Sequence, residues 1–421
     1  MPTRRATLFP TERSMGTTAK RKHHSLTGRI TADLMAKAFK RVKRNKGAAG
    51  VDGVSIESFE KNLGVHLAEL MRLMKQRRRY HPKPNRRTWI PKGISRRKDA
   101  PMRPLGIPGV RDRVAQEVLR QLLEPIFEPK FHPHSCGFRP HRGCHTAIQL
   151  VLQAKKEGRH IVVDADIKGF FDNLPQDVIM KAVGEKIADG NILEIIRKFL
   201  SAGVMEDGTF IDTTRGTPQG GVISPLLANI VLNRLDWALD EAGFYFVRYA
   251  DDFVILCRTT QEAEKALALL RATLQELGLT LNEEKTKITS FAEHFDFLGF
   301  TFKTNAVAMR QKAVEKFKEN VRKITRRNNG RSLPETIEEL NARWRGTVNY
   351  YAKPYTHVLG KLFVWDKWVR HRLRYWKYKR TRLGVKQRRQ TSVRWFEKKG
   401  LVTMHALALS KNATFPTMGI G

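Results

Sequence analysis

The chain has 421 residues, room for two or three domains with cores of their own. Seventy-eight lysines and arginines against 41 acids give a formal charge of +37, an excess that points to a polyanionic partner bound through counterion release. No apolar run reaches the roughly 18 residues of a membrane span, no concentrated amphipathic basic helix suggests an interfacial anchor, and three cysteines build no disulfide framework and fit a reducing compartment.

Residues 1–28 carry Arg4, Arg5, Arg13, Lys20, Arg21 and Lys22 against Glu12 alone, with Ser, Thr and Pro between, and read as a flexible basic arm. An organellar transit peptide has a similar composition, but no apolar core follows the basic residues, so a secretory signal is not expected. Leu34, Ala38, Phe39 and Val42 form a helical stripe with Thr31 as N-cap and Gly47 near its end. Gly47, Gly50 and Gly53 have dinucleotide-site spacing, yet no strand precedes them, which argues against that reading. A further helix is expected from about Ser58 to Gln76, leading into Arg77, Arg78 and Arg79. From Phe131 to His145 stand Cys136, Cys144 and four histidines, whose spacing fits none of the common structural zinc pairs.

Two acidic stretches follow. Ile161–Val163 is a short β-branched run delivering Asp164 and Asp166, which period-2 geometry puts on one face. Phe244–Tyr249 and Phe253–Cys257 are two β-rich runs flanking Ala250, Asp251 and Asp252, the pattern of a tight hairpin. Asp-Asp is common in solvated turns. Between apolar strands, however, a carboxylate pair needs a proton or a cation, and Mg²⁺ held by one or two carboxylates plus substrate phosphates satisfies it. An Asp at one strand end and an Asp pair at a hairpin tip are the layout of a two-metal phosphoryl-transfer site. Between them, Arg215 to Asn229 opens with Gly and Pro residues that let backbone approach a substrate and continues as an apolar helical run.

Asp166-Ile167-Lys168-Gly169-Phe170-Phe171-Asp172, Thr217-Pro218-Gln219-Gly220-Gly221 and Tyr249-Ala250-Asp251-Asp252 occur in reverse-transcriptase order, and the chain resembles the bacterial group II intron reverse transcriptases. The resemblance spans roughly Val51 to Phe302 as an ordered series of motifs. It implies two Mg²⁺ ions with Asp166 and Asp251 as bridging ligands, Asp252 completing the acidic cluster and Ile167 giving a carbonyl oxygen; Asp164 is the alternative to Asp166. Ile90-Pro91-Lys92 and Met102-Arg103-Pro104 match the first fingers motif. Lys92 and Arg103 would grip the incoming triphosphate, with Arg97 or Lys98 as alternatives to Lys92 because Gly93–Pro101 resembles an insertion. Gln219 joins them in the nucleotide site. Phe171 would exclude the ribose 2′-hydroxyl, or else be a core aromatic beside Phe170. Ser135 to Arg142 matches the second fingers motif, so Arg139 and Arg142 are expected on template or phosphate. Lys285 would support the carboxylates or the primer phosphate.

From Lys312 the composition shifts to basic helices. Val314, Phe317, Val321 and Ile324 make one stripe; Ile337, Leu340, Trp344, Val348 and Tyr351 a second; Leu362, Trp365, Val369, Leu373 and Trp376 a third, most simply the core of three packed helices. Opposite the third stripe, Lys367, Arg370, Arg374 and Lys377 line up at helical spacing for an RNA or DNA backbone. Arg345-Gly346-Thr347-Val348-Asn349-Tyr350-Tyr351 resembles the core of the maturase domain, with Thr347 where an aromatic is usual. Beyond Trp395 a short tail without Cys pairs or a His-Asn-His pattern is expected, similar to group IIC enzymes lacking the endonuclease domain.

The expected fold is therefore α+β: a right-hand polymerase of fingers and palm followed by a helical thumb. The expected divisions are a basic arm at 1–28, an N-terminal extension at 29–90, fingers and palm at 91–305, the maturase domain at 306–395 and a tail at 396–421. The expected partners are group II intron RNA, an RNA template with a DNA primer, dNTPs and target DNA, with no membrane, in a nucleoid-associated ribonucleoprotein of the bacterial cytoplasm. Two rivals remain: a retron or defence-type reverse transcriptase, and an RNA-binding splicing cofactor without polymerase activity. Loss of carboxylates would mark the second, and all three are present.

Overall fold

A computed structural model describes residues 22–91, 102–326, 330–379 and 384–413. The strands in chain order are β1 (Asn85–Pro91), β2 (Met102–Ile107), β3 (Ile161–Ala165), β4 (Val204–Glu206), β5 (Thr209–Ile211), β6 (Tyr245–Tyr249), β7 (Asp252–Cys257), β8 (Lys287–Ser290), β9 (Phe295–Phe297), β10 (Phe300–Phe302) and β11 (Val307–Met309). Contacts divide the described residues into two compact units. One holds the segments up to Ala154, Ala165–Ile255 and Glu264–Thr286; the other holds Lys155–Asp164, Leu256–Ala263 and Lys287 onward.

In the first unit, the helix Ala32–Arg44 starts where the Thr31 side chain accepts the Leu34 amide, and it buries Met35, Ala38, Phe39 and Val42. The single helix expected from Ser58 to Gln76 is two, Ile56–Glu60 and Leu63–Lys75. Ser55 caps the first, and Asn62, with ψ at +41°, leaves helical geometry between them. β1 and β2 form an antiparallel hairpin in register from Arg86 opposite Ile107 to Pro91 opposite Met102, and β4 and β5 extend it in the order β2-β1-β4-β5. Two helices, Val110–Phe127 and Ser224–Glu241, are buried on most sides. β6 and β7 are neighbouring strands of a further sheet.

In the second unit, β3 pairs antiparallel with β8, from Ile161 opposite Ser290 to Asp164 opposite Lys287. A three-stranded meander, β11-β10-β9, precedes the helices Gln311–Ile324, Leu333–Tyr351 and Leu359–Tyr378. The three apolar stripes meet, with Phe317 stacked on Trp365 at 4.2 Å between ring centres, but Trp376, expected in the third stripe, is half-buried and not part of this core. The C-terminal segment is more than a tail. Helices Val385–Gln390, Val393–Lys398 and Met404–Ala413 follow, and Phe396, Leu401, Met404 and Ala408 enter the same core. A buried carboxylate, Asp366, accepts the amides of Met404 and His405 at 2.9 Å each and so caps the last helix from outside it.

Candidate active site

β6 and β7 close through Ala250 and Asp251, with Ala250 in the left-handed region at φ +60°. An alanine there is strained, so neighbouring groups must hold it. Arg248, fully buried, grips both oxygens of Asp236 at 2.7 and 2.5 Å and donates through Nη1 to Asn229 Oδ1 and to the Ala250 carbonyl, each at 2.9 Å. Asn229 in turn donates to the Gly137 carbonyl at 2.9 Å. Gly137 presses on the turn so closely that a Cβ would stand 2.3 Å from the Ala250 nitrogen.

Asp166 lies just beyond β3. Its carbonyl accepts the Asn282 amide at 2.8 Å, and its Oδ2 accepts Asn282 Nδ2 at 2.9 Å and Lys285 Nζ at 3.0 Å. The Lys168 amide donates to the Thr280 carbonyl at 2.9 Å. Backbone groups alternate between the two edges of an extended strand, so the intervening Ile167 carbonyl faces away from Leu281. Asp251 is half-buried and Asp252 exposed at the head of β7. Burial pushes the Asp251 carboxyl above its usual range and its own backbone amide pulls it down. The Asp166 charge pushes it up again, and Arg103 and Arg248 pull it down. Asp166, Asp251 and Arg103 therefore share one electrostatic neighbourhood. Asp164 sits within β3, opposite Lys287.

The donors suit a hard divalent cation: carboxylate and carbonyl oxygens, with the Asp166 charge close enough to help raise the Asp251 carboxyl. They do not form a closed cage, since among the described residues no three His, Cys, Asp or Glu gather as a ready metal site. Asp166 faces Lys285 and Asn282 instead. An open oxygen site is what Mg²⁺ shared with substrate phosphates requires.

A loop from Gly216 to Val222 is pinned to the turn that follows Asp166 and to β2. The Thr217 amide donates to the Phe171 carbonyl at 2.8 Å, Gln219 Nε2 to Asp172 Oδ2 at 3.1 Å, and the Gly106 amide to the Gln219 carbonyl at 2.7 Å. Gly216, at φ +79°, permits the approach, because a Cβ would stand 2.7 Å from the Phe171 and Asp172 carbonyls. Gln116 Oε1 accepts the Val222 amide at 2.6 Å and fixes the far end of the loop. Phe171 is half-buried, edge-on to the buried Phe170 at 5.1 Å. Arg103 is exposed on β2, while Lys92 lies outside the described residues, as do Arg97 and Lys98.

Residues 90–302 match the reverse transcriptase (RNA-dependent DNA polymerase) family, and residues 314–395 match the group II intron maturase-specific domain. The chain belongs to the group II intron reverse transcriptase/maturase family. Protein YkfC of Escherichia coli K12 is 35% identical over 307 residues, 63% of this chain and 79% of that protein. The group II intron-encoded protein LtrA of Lactococcus lactis is 36% identical over 261 residues, 62% of this chain but only 41% of that protein. The retron Ec86 reverse transcriptase of E. coli is 24% identical over 196 residues, 46% of this chain and 55% of that protein. For this family a divalent metal is implied by the polymerase domain, and intron RNA binding by the maturase-specific domain.

Other residues expected to bind nucleic acid in this reverse transcriptase are placed less simply. Arg139 is buried. Its guanidinium donates to the Glu128 carboxylate at 2.8–3.1 Å, and to the His132 and Ser135 carbonyls at 2.6 and 2.8 Å. That replaces the expected phosphate contact with a structural one, because a buried guanidinium must first satisfy its own donors. Arg142 is half-buried and donates to the Pro133 carbonyl. On the third thumb helix, Lys367 and Lys377 are exposed, their ammonium groups 4.3 Å from the Phe363 ring and 4.6 Å from the Trp395 ring. Arg370 is half-buried near Asp366. Arg374 departs from the expected open stripe: it donates to the Thr391 carbonyl at 2.8 and 3.1 Å and lies over Phe396. The additional C-terminal helices bring those partners, so the face is only partly open.

Arg248, Asp236, Asn229, Gly137 and Gln116 were not singled out from the sequence. The available signal was local: an Arg within an apolar strand, and Asn229 and Asp236 seven residues apart on an apolar helix.

Proposed function

We propose that this chain copies RNA into DNA with two Mg²⁺ ions held by Asp166, Asp251 and the Ile167 carbonyl, with Asp252 completing the acidic cluster. The supporting observation is the half-buried Asp251 carboxyl at a constrained turn, raised first by burial and then by the Asp166 charge, and opposed by Arg103. When bound, the metal pair would activate the primer 3′ hydroxyl and stabilise the leaving pyrophosphate. The protein's own groups position and select. Arg103 offers a planar fork to the triphosphate, with Lys92 assigned to the same task. Gln219, anchored at both its carbonyl and its amide, presents a fixed edge to the nucleotide. Phe171, backed by Phe170, excludes a 2′-hydroxyl. Lys285 occupies the Asp166 carboxylate and gives it up when metal and substrate arrive.

The same chain would bind its intron RNA through the maturase-specific domain, assist splicing, and insert the intron into target DNA by copying it. Lys367 and Lys377 are its most accessible basic contacts on the third thumb helix, with Arg370 beside them and Arg142 a minor contributor. The match over residues 314–395 favours an intron partner over the RNA of a retron. Primer extension on a defined RNA template tests the polymerase reading. Asp251→Ala is expected to abolish Mg²⁺-dependent extension, a loss of several kcal/mol of transition-state stabilisation in order of magnitude, with RNA binding nearly intact. Near-normal extension by that variant would place the site elsewhere. Splicing of the cognate intron with and without the protein tests the maturase reading.

A further inference from the structure

Arg248 stands on β6 immediately before the hairpin tip, among residues that are otherwise buried and apolar. A guanidinium fully removed from water must place its donors on acceptors. Here the acceptors are Asp236, Asn229 and the Ala250 carbonyl. Asn229 and Asp236 come from one face of the helix Ser224–Glu241, since residues seven apart lie two turns along the same side. Asp236 is as buried as Arg248, at 1% side-chain exposure each.

A buried ion pair is weak evidence for stability, because well-packed apolar residues of similar volume often serve as well or better. Its geometry is more telling. The same Nη1 that meets Asn229 also reaches the Ala250 carbonyl, which belongs to the peptide leading into Asp251. Ala250 is in the left-handed region, and Gly137 abuts its nitrogen. Gly137 is held by Asn229. The loop carrying it is stitched to β6 by the Arg248 amide to the His134 carbonyl at 3.0 Å and the Cys136 amide to the Arg248 carbonyl at 2.8 Å. The turn is thus held at both ends of one residue, Ala250, by Gly137 against its nitrogen and the Arg248 side chain at its carbonyl.

We infer that Arg248, oriented by Asp236 and Asn229, is a positioning residue that fixes the Ala250–Asp251 peptide and so aims the Asp251 carboxylate. It touches no substrate and acts through the turn. This rests on the assignment of Asp251 to the metal site.

The test uses the full chain in RNA-templated primer extension, titrated with Mg²⁺, for the wild type, Asn229→Ala, Arg248→Lys and Asp251→Ala. Asn229→Ala removes one acceptor of the guanidinium and the donor to Gly137 but leaves the Arg248–Asp236 pair and the Ala250 contact in place, so it decides the matter even where Arg248→Lys fails to fold. The expected result is a rise of about 10-fold in the Mg²⁺ concentration for half-maximal extension, the scale seen when partners that orient metal ligands are lost. The KM for dNTP at saturating Mg²⁺ and the RNA affinity should stay within about twofold of wild type on the same reasoning, because only the metal ligand is re-aimed. Fe²⁺-mediated cleavage of the chain near Asp251 should weaken in parallel, a readout independent of turnover. An unchanged Mg²⁺ requirement in folded Asn229→Ala, or a lower Tm with normal metal response, would overturn the inference and make the cluster purely structural. Retained extension by Asp251→Ala would instead overturn the assignment of the metal site.

Discussion

The Asp366 contact lends itself to a quantitative test. Its carboxylate, 3% exposed, accepts the amides of Met404 and His405 at the start of the last helix. Replacing Asp366 by Ala removes both acceptors. Met404 is buried and its amide would be left unpaired, at a cost of about 1–3 kcal/mol; His405 is half-buried, so water can reach its amide and the added loss is smaller. Loss of a favourable charge at a helix N-terminus adds about 0.3–1 kcal/mol. Burial, which raises the carboxyl pKa, shows that the ionised group carries a desolvation cost that partly offsets these gains. A net destabilisation of about 2–4 kcal/mol follows, a fall of about 4–16 °C in the Tm of the thumb unit. Asp366→Asn, which keeps one acceptor and the shape, should lose about half as much. Thermal denaturation gives the total, and hydrogen exchange should show residues 404–413 losing protection first. A Tm within 1 °C of wild type for Asp366→Ala, with exchange unchanged, would refute the reasoning.

Other residues invite direct tests. Phe171→Ala should raise ribonucleotide incorporation more than it lowers dNTP use; unchanged discrimination in a folded variant returns Phe171 to the core beside Phe170. Lys285→Met removes a two-thirds exposed ammonium from Asp166, an exposed pair contributing about 0–1 kcal/mol to stability, so Tm should barely move while the Mg²⁺ requirement falls by up to about fivefold. A higher Mg²⁺ requirement would show that Lys285 assists the metal site rather than competing for its carboxylate. Lys367→Ala with Lys377→Ala should weaken intron RNA binding and flatten its salt dependence by about two counterions, read from the slope of log affinity against log salt. Extension on a short template should survive, and equal loss of extension and splicing would assign both lysines to the polymerase cleft.

The acidic hairpin was legible because an Asp pair between two apolar runs is a local pattern. The strand that delivers Asp164 and Asp166 was legible because Ile161–Val163 is a β-branched run. The three thumb stripes could be read because each repeats an apolar residue every three or four positions over several turns. What failed was partner choice. Arg139 and Arg103 look alike in sequence, yet one is enclosed by Glu128 and two carbonyls while the other stands open on β2. The C-terminal helices escaped because two are only six residues long, and Phe396, Leu401, Met404 and Ala408 are too sparse to show a period. The break at Asn62 escaped because the flanking residues favour helix on both sides.

The outermost strand of the fingers sheet has a consequence for handling the protein. Among the described residues β5 lies at an edge of the order β2-β1-β4-β5 with no further strand beside it, and all three of its residues are exposed, Phe210 at 53% and Ile211 at 42%. An uncovered apolar edge is a template for pairing with another copy, and charge on the rest of the molecule is one way to keep copies apart. With +37 on each chain, the RNA-free protein repels itself. Partial neutralisation by RNA removes that repulsion while leaving the edge bare. The hazardous condition for this enzyme is therefore neither the naked chain nor the saturated ribonucleoprotein but the mixture between them, and assembly is best carried out by adding protein to excess RNA.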